Sequence, residues 1–250
     1  MIFQSIVYGL VFWLTVLTSL WALVPYHLLK ILGFHRQAWF FLGRLGRYYS
    51  KFILKGLVGC QIHVEGLENV PQNKPYCFIS NHQAYADILL LMATVPRAAG
   101  YIAKRSLRYA PVIRTWMQEL GCYFLKRDSL KDGLKGILYG IDRVKRGFPM
   151  VLFPEGTRSK GPEMNEFRKG GLKLATKAKA LAVPVSIQGT YRVLEQSGKV
   201  RPSWIAIRFH PPVDTTKLNN IEENSLTDDL WKTIHEGVMD LQKKSPQPVE

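Results

Sequence analysis

The sequence predicts an α/β fold in which a mixed, mostly parallel sheet is flanked by helices and preceded by a two-helix membrane anchor. Three observations lead to this prediction. After residue 59, short apolar runs typical of strands alternate with longer stretches of helical periodicity. Residues 1 to 29 contain no charged side chain. The 250 residues suffice for one core, so we expect an anchor (residues 1–58) followed by a single α/β domain (residues 59–250).

The first helix of the anchor is predicted to be apolar nearly all round, because Lys30 is the only charged side chain between Ile2 and Leu32. This run exceeds the roughly 20 apolar residues of a membrane span. It is too long for a signal peptide and lacks a basic start. The second helix, within residues 35–59, mixes aromatic with basic side chains, as interfacial helices do. The anchor would either dip into one leaflet or span the membrane with its first helix.

Strands and helices alternate through the rest of the chain. The predicted strands are residues 61–65, 76–80, 101–103, 122–124, 150–153, 183–188 and 204–210. The predicted helices are residues 87–94, 112–120, 130–146, 170–180 and 226–244. This alternation indicates a largely parallel or mixed sheet, in which parallel strands end at one edge.

A histidine and an aspartate lie five residues apart where a predicted strand meets a predicted helix. If His82 lies in the turn and Asp87 in the first helical turns, the carboxylate can hold one ring nitrogen and leave the other free to take a proton. The sequence has no Gly-x-Ser-x-Gly elbow and no signature of a catalytic thiol, so such a base would activate a hydroxyl or water brought by the substrate. The alternative is an ordinary helix start capped by Asn81.

A second stretch, Phe-Pro-Glu-Gly-Thr-Arg at residues 153–158, combines a glycine turn with a cation. Gly156 permits a tight backbone, Thr157 offers a hydroxyl and an N–H, and Arg158 supplies a planar fork for phosphate oxygens. No Walker motif occurs, so nucleotide hydrolysis has no support. The alternative is an ordinary turn with a solvated pair formed by Glu155 and Arg158.

Two further predicted strands deliver cations near their ends, Lys104 and Arg127. A single cation at a strand end is usually solvated. In a parallel sheet, however, both would lie at the same edge as His82 and Arg158, so the four side chains could share one cleft.

The charge of the chain points to an acidic partner. Its 34 Lys and Arg outnumber its 19 Asp and Glu, which gives a net charge of +15. No zinc spacing, helix-turn-helix pattern or aromatic RNA-binding signature accompanies this charge, so we expect no nucleic acid as a partner. Anionic membrane lipids, a phosphate-bearing substrate, coenzyme A or an acidic carrier protein fit better. The three cysteines show no pairing pattern and the other histidines no metal-ligand spacing, so we expect a reducing compartment and no metal.

Four segments resemble, in order, the motifs of the short bacterial 1-acylglycerol-3-phosphate acyltransferases. They are residues 81–87 (His-x-x-x-x-Asp), 121–127, 153–159 (Phe-Pro-Glu-Gly-Thr-Arg-Ser) and 183–187. The resemblance covers roughly residues 60–210 and implies the glycerolipid acyltransferase fold. The chain departs from the family at Ala84 and Ala86, which affects packing more than chemistry.

The resemblance implies an activity for the first segment. His82 would be the general base on the free sn-2 hydroxyl of lysophosphatidate, and Asp87 would orient it. That hydroxyl would attack the thioester of acyl-CoA or acyl carrier protein, which are co-substrates rather than cofactors, and the product would be phosphatidate for phospholipid synthesis.

The resemblance also implies the ligand-binding residues. Arg127, Gly156, Thr157 and Arg158 would hold the glycerol phosphate. Glu155 would order that loop or contact the glycerol. Lys104 would either bind the phosphate or stabilise the negative charge that develops on the thioester oxygen.

For the location, the resemblance favours an anchor that dips into one leaflet at the cytoplasmic face of the cell membrane, although a single-pass anchor stays open. Two other functions also stay open. One is the same chemistry on another lysophospholipid or an amino-acid lipid. The other is a non-catalytic lipid-binding membrane protein, which would have no need of both His82 and Asp87. The loop at residues 159–171, which ends in two glycines, is either a lid over the substrate or a mobile surface loop.

Overall fold

The computed structural model describes residues 2–126, 129–168 and 170–246. Its strands are β1 Gln61–Glu65, β2 Tyr76–Ser80, β3 Gly100–Lys104, β4 Tyr123–Leu125, β5 Met150–Leu152, β6 Leu181–Gln188, β7 Trp204–Phe209 and β8 Val213–Asp214. Its α-helices are α1 Ile2–Thr18, α2 Leu23–Ile31, α3 His35–Lys51, α4 Ala86–Thr94, α5 Pro111–Glu119, α6 Leu130–Lys145, α7 Lys173–Ala178 and α8 Asn220–Lys244.

The described strands form one mixed sheet in the order β1-β7-β6-β2-β5-β3-β4, with β8 beside β6. Strands β6, β2, β5, β3 and β4 run parallel to one another. Strand β7 is antiparallel to β6 and parallel to β1, and β8 is antiparallel to β6. The predicted mixed, mostly parallel sheet is therefore confirmed, and the carboxyl ends of five strands meet at one edge.

Helices cover both faces of this sheet because the central strands are apolar on both sides. All five residues of β2 are buried. On one face, Phe78 belongs to a cluster with Leu90 of α4 and Leu42 of α3. On the other face, Ile79 belongs to a cluster with Leu174 of α7 and with residues of α8. The alternation of strand side chains thus divides one core into two layers on either side of the sheet.

Several element boundaries differ from those predicted. Strand β4 lies one residue later than expected, and α7 is much shorter than the predicted helix at 170–180. Helix α7 ends where Lys179 takes a left-handed conformation with φ of 52°. Helix α8 begins six residues before the predicted Leu226, because Asn219 and Glu222 form a reciprocal capping box. The two-residue strand β8 was not predicted.

The first helix of the predicted anchor is divided into α1 and α2, and α3 is the second. Between α1 and α2, residues such as Ala22 donate to the carbonyl three positions back, which tightens the turn. Together the segment Ile6–Ile31 is long and apolar enough to cross a membrane, judged by length and composition.

Helix α3 fixes this region to the α/β part through two glycines. A Cβ at Gly43 would lie 2.8 Å from the backbone nitrogen of Ala98, and one at Gly46 would lie 2.9 Å from the methyl carbon of Met92. Side chains from α2 and α3 also share the hydrophobic cluster of β2 and α4. The opposite side of α1, α2 and the turn between them is apolar and exposed, with Trp21 80% and Ile31 81% accessible.

Candidate active site

The site lies at the carboxyl edge of the sheet, where the segments after β2 and β5 lie side by side. The backbone N–H of Ser159 donates to the carbonyl of His82 at 2.8 Å, and that of Lys160 donates to the carbonyl of Gln83 at 3.0 Å. These bonds join the segments that follow the two strands. The two stretches that the sequence singled out are therefore in direct contact.

His82 and Asp87 form a hydrogen-bonded pair. His82 Nδ1 lies 2.7 Å from Asp87 Oδ2, and their side chains are 13% and 0% exposed. His82 lies in the turn after β2 and Asp87 in the first turn of α4, which is the arrangement that a five-residue spacing requires. A carboxylate acceptor requires a proton on Nδ1, so Nε2 carries the lone pair that can accept a proton.

The Asp87 carboxylate is fixed from three sides. Besides His82, its Oδ2 accepts a hydrogen bond from the backbone N–H of Ala84 at 2.9 Å. Its Oδ1 accepts one from the hydroxyl of the buried Thr190, which follows β6. A buried carboxylate with this many donors is compensated for its lost hydration, and it cannot rotate away from the imidazole.

The imidazole ring is also held by stacking. Phe153, the first residue after β5, lies nearly parallel to His82, with ring centroids 4.1 Å apart and planes 17° apart. Two independent contacts thus set the ring, one at its Nδ1 and one on its face.

Glu155 braces the loop from within. It is only 3% exposed, and its Oε1 accepts a hydrogen bond from the backbone N–H of His82 at 2.6 Å. Its Oε2 accepts from the backbone N–H of Asn165 at 3.0 Å and from the Asn165 side chain at 2.7 Å. Burial raises the pKa of this carboxyl, and the hydrogen bonds from His82 and Asn165 oppose that rise. Of the two roles considered from the sequence, this geometry supports ordering the loop.

The turn at Gly156 brings a further cation to the site. Gly156 has a φ of 72°, and a Cβ there would lie 2.9 Å from the guanidinium carbon of Arg168. Glycine is therefore required both by the backbone conformation and by the arginine packed on it. Thr157, next to this turn, is exposed. Arg168 makes no ion pair with the residues that the structure describes, so its charge is available to an anion.

Arg158 is held by a buried acid. Its Nη1 donates to Glu195 Oε1 at 2.7 Å, and its guanidinium lies 3.5 Å from the centre of the Tyr85 ring. The backbone N–H of Tyr85 donates to the same Glu195 oxygen at 2.8 Å. The Glu195 side chain is 5% exposed and that of Arg158 is 21% exposed. Arg158 is thus positioned by two contacts, and within the described residues Glu195 is the one hydrogen-bond acceptor of its guanidinium, which leaves the other N–H donors for a ligand.

Lys104 and Arg127 are the other two predicted cations. Lys104 is exposed at the carboxyl end of β3, two strands away from β2. That separation is about 10 Å at ordinary strand spacing. Arg127 lies outside the described residues.

Sequence reasoning missed Thr190, Glu195, Asn165 and Arg168. Thr190 and Glu195 are more than 100 residues from Asp87 and Tyr85, respectively, so no local spacing reveals their contacts. Asn165 and Arg168 lie in the loop that was predicted to be a lid or a mobile loop. There, Phe167 is buried in the core and the Trp231 indole donates to the Asn165 carbonyl at 3.1 Å, so that part of the loop is fixed to the body of the protein.

The donor set of the site suits anions and protons. Within residues 2–126, 129–168 and 170–246, no three His, Cys, Asp or Glu side chains come together as metal ligands. The described site instead holds a histidine paired with an acid, next to a loop that carries the Thr157 hydroxyl and the Arg158 guanidinium and on which Arg168 packs. This arrangement can remove a proton from a hydroxyl close to a bound phosphate.

A family model and individual relatives both identify the chain as similar to acyltransferases. The family model described as Acyltransferase matches residues 61–188, more than half of the chain. That segment includes both stretches of the site and ends with β6.

Individual relatives agree with the family model. The 1-acyl-sn-glycerol-3-phosphate acyltransferase of Saccharomyces cerevisiae is 32% identical over 66% of this chain and 56% of its own length. The protein of the same name from Borreliella burgdorferi is 30% identical over 68% of this chain and 69% of its own length. This chain therefore spans little more than half of the yeast relative.

A solved structure shares the fold along almost the whole chain. The 1-acyl-sn-glycerophosphate (LPA) acyltransferase PlsC of Thermotoga maritima superposes with a TM-score of 0.78, over 97% of this chain and 100% of that one. The two sequences are 24% identical, so this likeness concerns the fold.

Proposed function

Since this chain belongs to the acyltransferase family, we propose that it is a 1-acylglycerol-3-phosphate O-acyltransferase. It transfers an acyl chain from a thioester donor to the sn-2 hydroxyl of 1-acylglycerol-3-phosphate, and the product is phosphatidate. The observation that carries this proposal is the His82–Asp87 pair beside a glycine turn with arginines. The names of the relatives supply the acceptor.

In this mechanism, His82 Nε2 removes the proton of the sn-2 hydroxyl as its oxygen attacks the thioester carbonyl. The carbon–oxygen bond forms first, and the carbon–sulfur bond then breaks. The imidazolium returns the proton to the departing thiolate. Asp87 keeps the proton on Nδ1 and stabilises the imidazolium, while the Phe153 ring fixes the plane in which Nε2 points.

The acceptor phosphate must lie close to His82. Four bonds of about 1.5 Å separate the sn-2 oxygen from phosphorus, so these two atoms are at most about 5 Å apart. The stretch with Thr157 and Arg158 is hydrogen-bonded to the His82 carbonyl through Ser159, which supports the phosphate site there. We assign Arg168 to the same phosphate because it lies on Gly156.

Lys104 is proposed to reach this site from β3, toward either the phosphate or the developing charge on the thioester oxygen. The donor is acyl-CoA or acyl carrier protein, and both fit the net charge of +15. The transfer requires no cofactor beyond this co-substrate.

The amino-terminal helices would hold the enzyme at the membrane, where its acceptor resides. Their outer side exposes large apolar side chains, among them Leu10, Trp13, Leu14, Trp21 and Leu28. No acidic residue precedes Glu65, so the region is attracted to anionic lipid. We propose the cytoplasmic face, with the anchor dipping into one leaflet, and residues 1–58 as the anchoring unit.

The same mechanism on another lysophospholipid or on an amino-acid lipid is the nearest alternative. The glycine turn and its arginines favour a phosphate monoester directly beside the hydroxyl. A lipid-binding protein without activity has no use for the buried Asp87 and its two extra hydrogen bonds.

A substrate panel tests the proposal. The full chain in liposomes is given lysophosphatidate, lysophosphatidylethanolamine or an amino-acid lipid, each with acyl-CoA or acyl carrier protein. We expect the highest kcat/KM with lysophosphatidate and a product acylated at sn-2. Preference for another acceptor would replace the proposed substrate, and no transfer with any pair would favour the binding protein.

A further inference from the structure

A cavity lined in part by cations lies beyond the site, at the free edge of β4. It has a volume of about 440 Å³, and residues of the turn after β3, of α5, of β4 and of α6 line it. Arg105 and Arg108 come from the turn after β3, Tyr123 from β4, and Asp132 and Tyr139 from α6. β4 is the last strand of the described sheet, so the cavity has no strand on its outer side.

The cavity has excess positive charge. Neither Arg105 nor Arg108 forms an ion pair with the residues that the structure describes. Among the described residues that line the cavity, one carboxylate, Asp132, faces them, and its two oxygens already accept from the Tyr123 hydroxyl at 2.8 Å and the Lys126 N–H at 2.6 Å. Lys135 lies near the same carboxylate. The two exposed guanidinium groups can therefore bind an anion.

Distance separates this cavity from the acceptor phosphate. β4 is three strand spacings from β2, about 14 Å, whereas the acceptor phosphate must lie within about 5 Å of the hydroxyl at His82. Phe78 and Tyr101 both pair with Val151, so Arg105, four residues after Tyr101, lies at about the level of His82, four residues after Phe78. Lys104 pairs with Leu125, which places Lys126 at that level too. The cavity is thus displaced sideways along the catalytic edge.

In a thioester donor, the phosphates and the reacting carbonyl lie far apart, as the cavity and His82 do. Its carbonyl must reach the acceptor hydroxyl, while its phosphates lie at the far end of the extended pantetheine arm. In coenzyme A, this end carries a nucleotide with several phosphates. In a carrier protein, it carries a single phosphodiester.

We propose that the cavity lined by Arg105 and Arg108 binds the phosphate-bearing end of the acyl donor's pantetheine arm, with the arm lying along the carboxyl edge of β3 and β5. This inference rests on the proposed function. The shared chemistry is the phosphopantetheine of coenzyme A and of carrier protein.

The test uses the full chain in detergent and a double variant, Arg105→Gln with Arg108→Gln. The matched control is Lys232→Gln with Lys243→Gln, which removes the same charge from exposed positions on α8, a helix that packs on β6 and β7. Calorimetry with coenzyme A measures binding directly. Steady-state kinetics measure KM for acyl-CoA, for acyl carrier protein and for lysophosphatidate.

We expect coenzyme A to bind the double variant at least tenfold more weakly than wild type, and the control to bind it as wild type does. The donor KM should rise by a similar factor while the KM for lysophosphatidate stays within twofold. A rise for both donors would identify the shared phosphopantetheine, and a rise for acyl-CoA alone would identify the nucleotide phosphates.

Three results would overturn the inference: no binding of coenzyme A to wild type, equal binding by the double variant, or a rise in KM for lysophosphatidate instead of the donor. Equal melting temperatures of the three proteins would exclude misfolding. If wild type binds coenzyme A but transfers no acyl chain, the proposed function fails. Calorimetry on the double variant then still tests whether the cavity binds coenzyme A.

Discussion

At the residue scale, the candidate site contains a histidine whose orientation is fixed by more contacts than the five-residue spacing to Asp87 predicts. The Asp87 carboxylate contacts the His82 ring, and Thr190 and the Ala84 N–H fix that carboxylate in turn. The pair itself was predictable because its members lie five residues apart at a strand–helix junction. Thr190 was not, because only the parallel pairing of β2 and β6 brings it to Asp87.

Glu195 is expected to act as a positioning residue for Arg158. Its replacement by alanine removes the acceptor of both Arg158 and the Tyr85 N–H, and hydrogen bonds to charged groups are worth about 1.5–3 kcal/mol. We expect Glu195→Ala to raise KM for lysophosphatidate about tenfold or more with little change in kcat. Glu195→Gln, which keeps an acceptor oxygen, should recover most of the affinity.

Steady-state kinetics of the two Glu195 variants decide this. A lower KM in Glu195→Ala would contradict positioning, because it would show that the carboxylate mainly neutralises Arg158. A loss confined to kcat would also contradict it.

His210 should make the stability of the protein depend on pH. Burial, with a smaller effect of Arg208, lowers the pKa of His210 to about 4 from an ordinary value of 6.5. Between these values the unfolded chain binds more protons than the folded one, so stability falls as the pH drops from about 6.5 toward 4. The loss amounts to about 2 kcal/mol at pH 5.

Denaturant unfolding at pH 7 and pH 5 measures this loss. The His210→Asn variant is the control, since it lacks the titrating group, and its stability should change less between the two pH values. An equal change in both proteins would assign the effect to other groups.

At the element scale, the close approach of α3 to α4 connects the proposed anchor to the candidate site, because α4 carries Asp87 in its first turn. The sequence predicted an interfacial helix from its aromatic and basic residues. It did not reveal which side of that helix packs inward. Gly43 and Gly46 mark that side, but a glycine signals close packing only once its neighbour is known.

A pair of glycine substitutions tests this packing. Gly43→Ala would place a Cβ 2.8 Å from a backbone nitrogen that cannot move freely, so we expect a loss of about 1–3 kcal/mol in the free energy of unfolding. Gly133→Ala in α6 has nothing within 4 Å of the added Cβ, and it should be neutral or stabilising by about 0.5–1 kcal/mol. Thermal unfolding in detergent compares them, and equal responses would show that α3 does not pack this closely.

At the scale of the whole molecule, the fold class followed from the sequence because short apolar runs that alternate with longer helical stretches predict an α/β fold before any contact is known. The segments at the carboxyl edge were predictable for the same reason. The alternation of strands and helices along the chain does not determine the lateral order of the strands in the sheet. That order places β3 and β4 away from β2, and it separates the cations near His82 from those of the cavity at β4.

The whole molecule also combines two separate surfaces. We propose that the exposed apolar side of α1 and α2 binds the membrane and that the carboxyl edge of the sheet carries out the chemistry. Because His82 lies on the second surface and is 13% exposed, its loss should leave membrane binding intact.

The most direct test of the central claim is acyl transfer to lysophosphatidate by wild type and by His82→Ala, measured side by side with liposome flotation. We expect kcat/KM to fall by about 10²–10⁴ or more in the variant, as the loss of a general base requires, while flotation and melting temperature stay those of wild type. Transfer by His82→Ala within tenfold of wild type would contradict the assignment of His82 as the base.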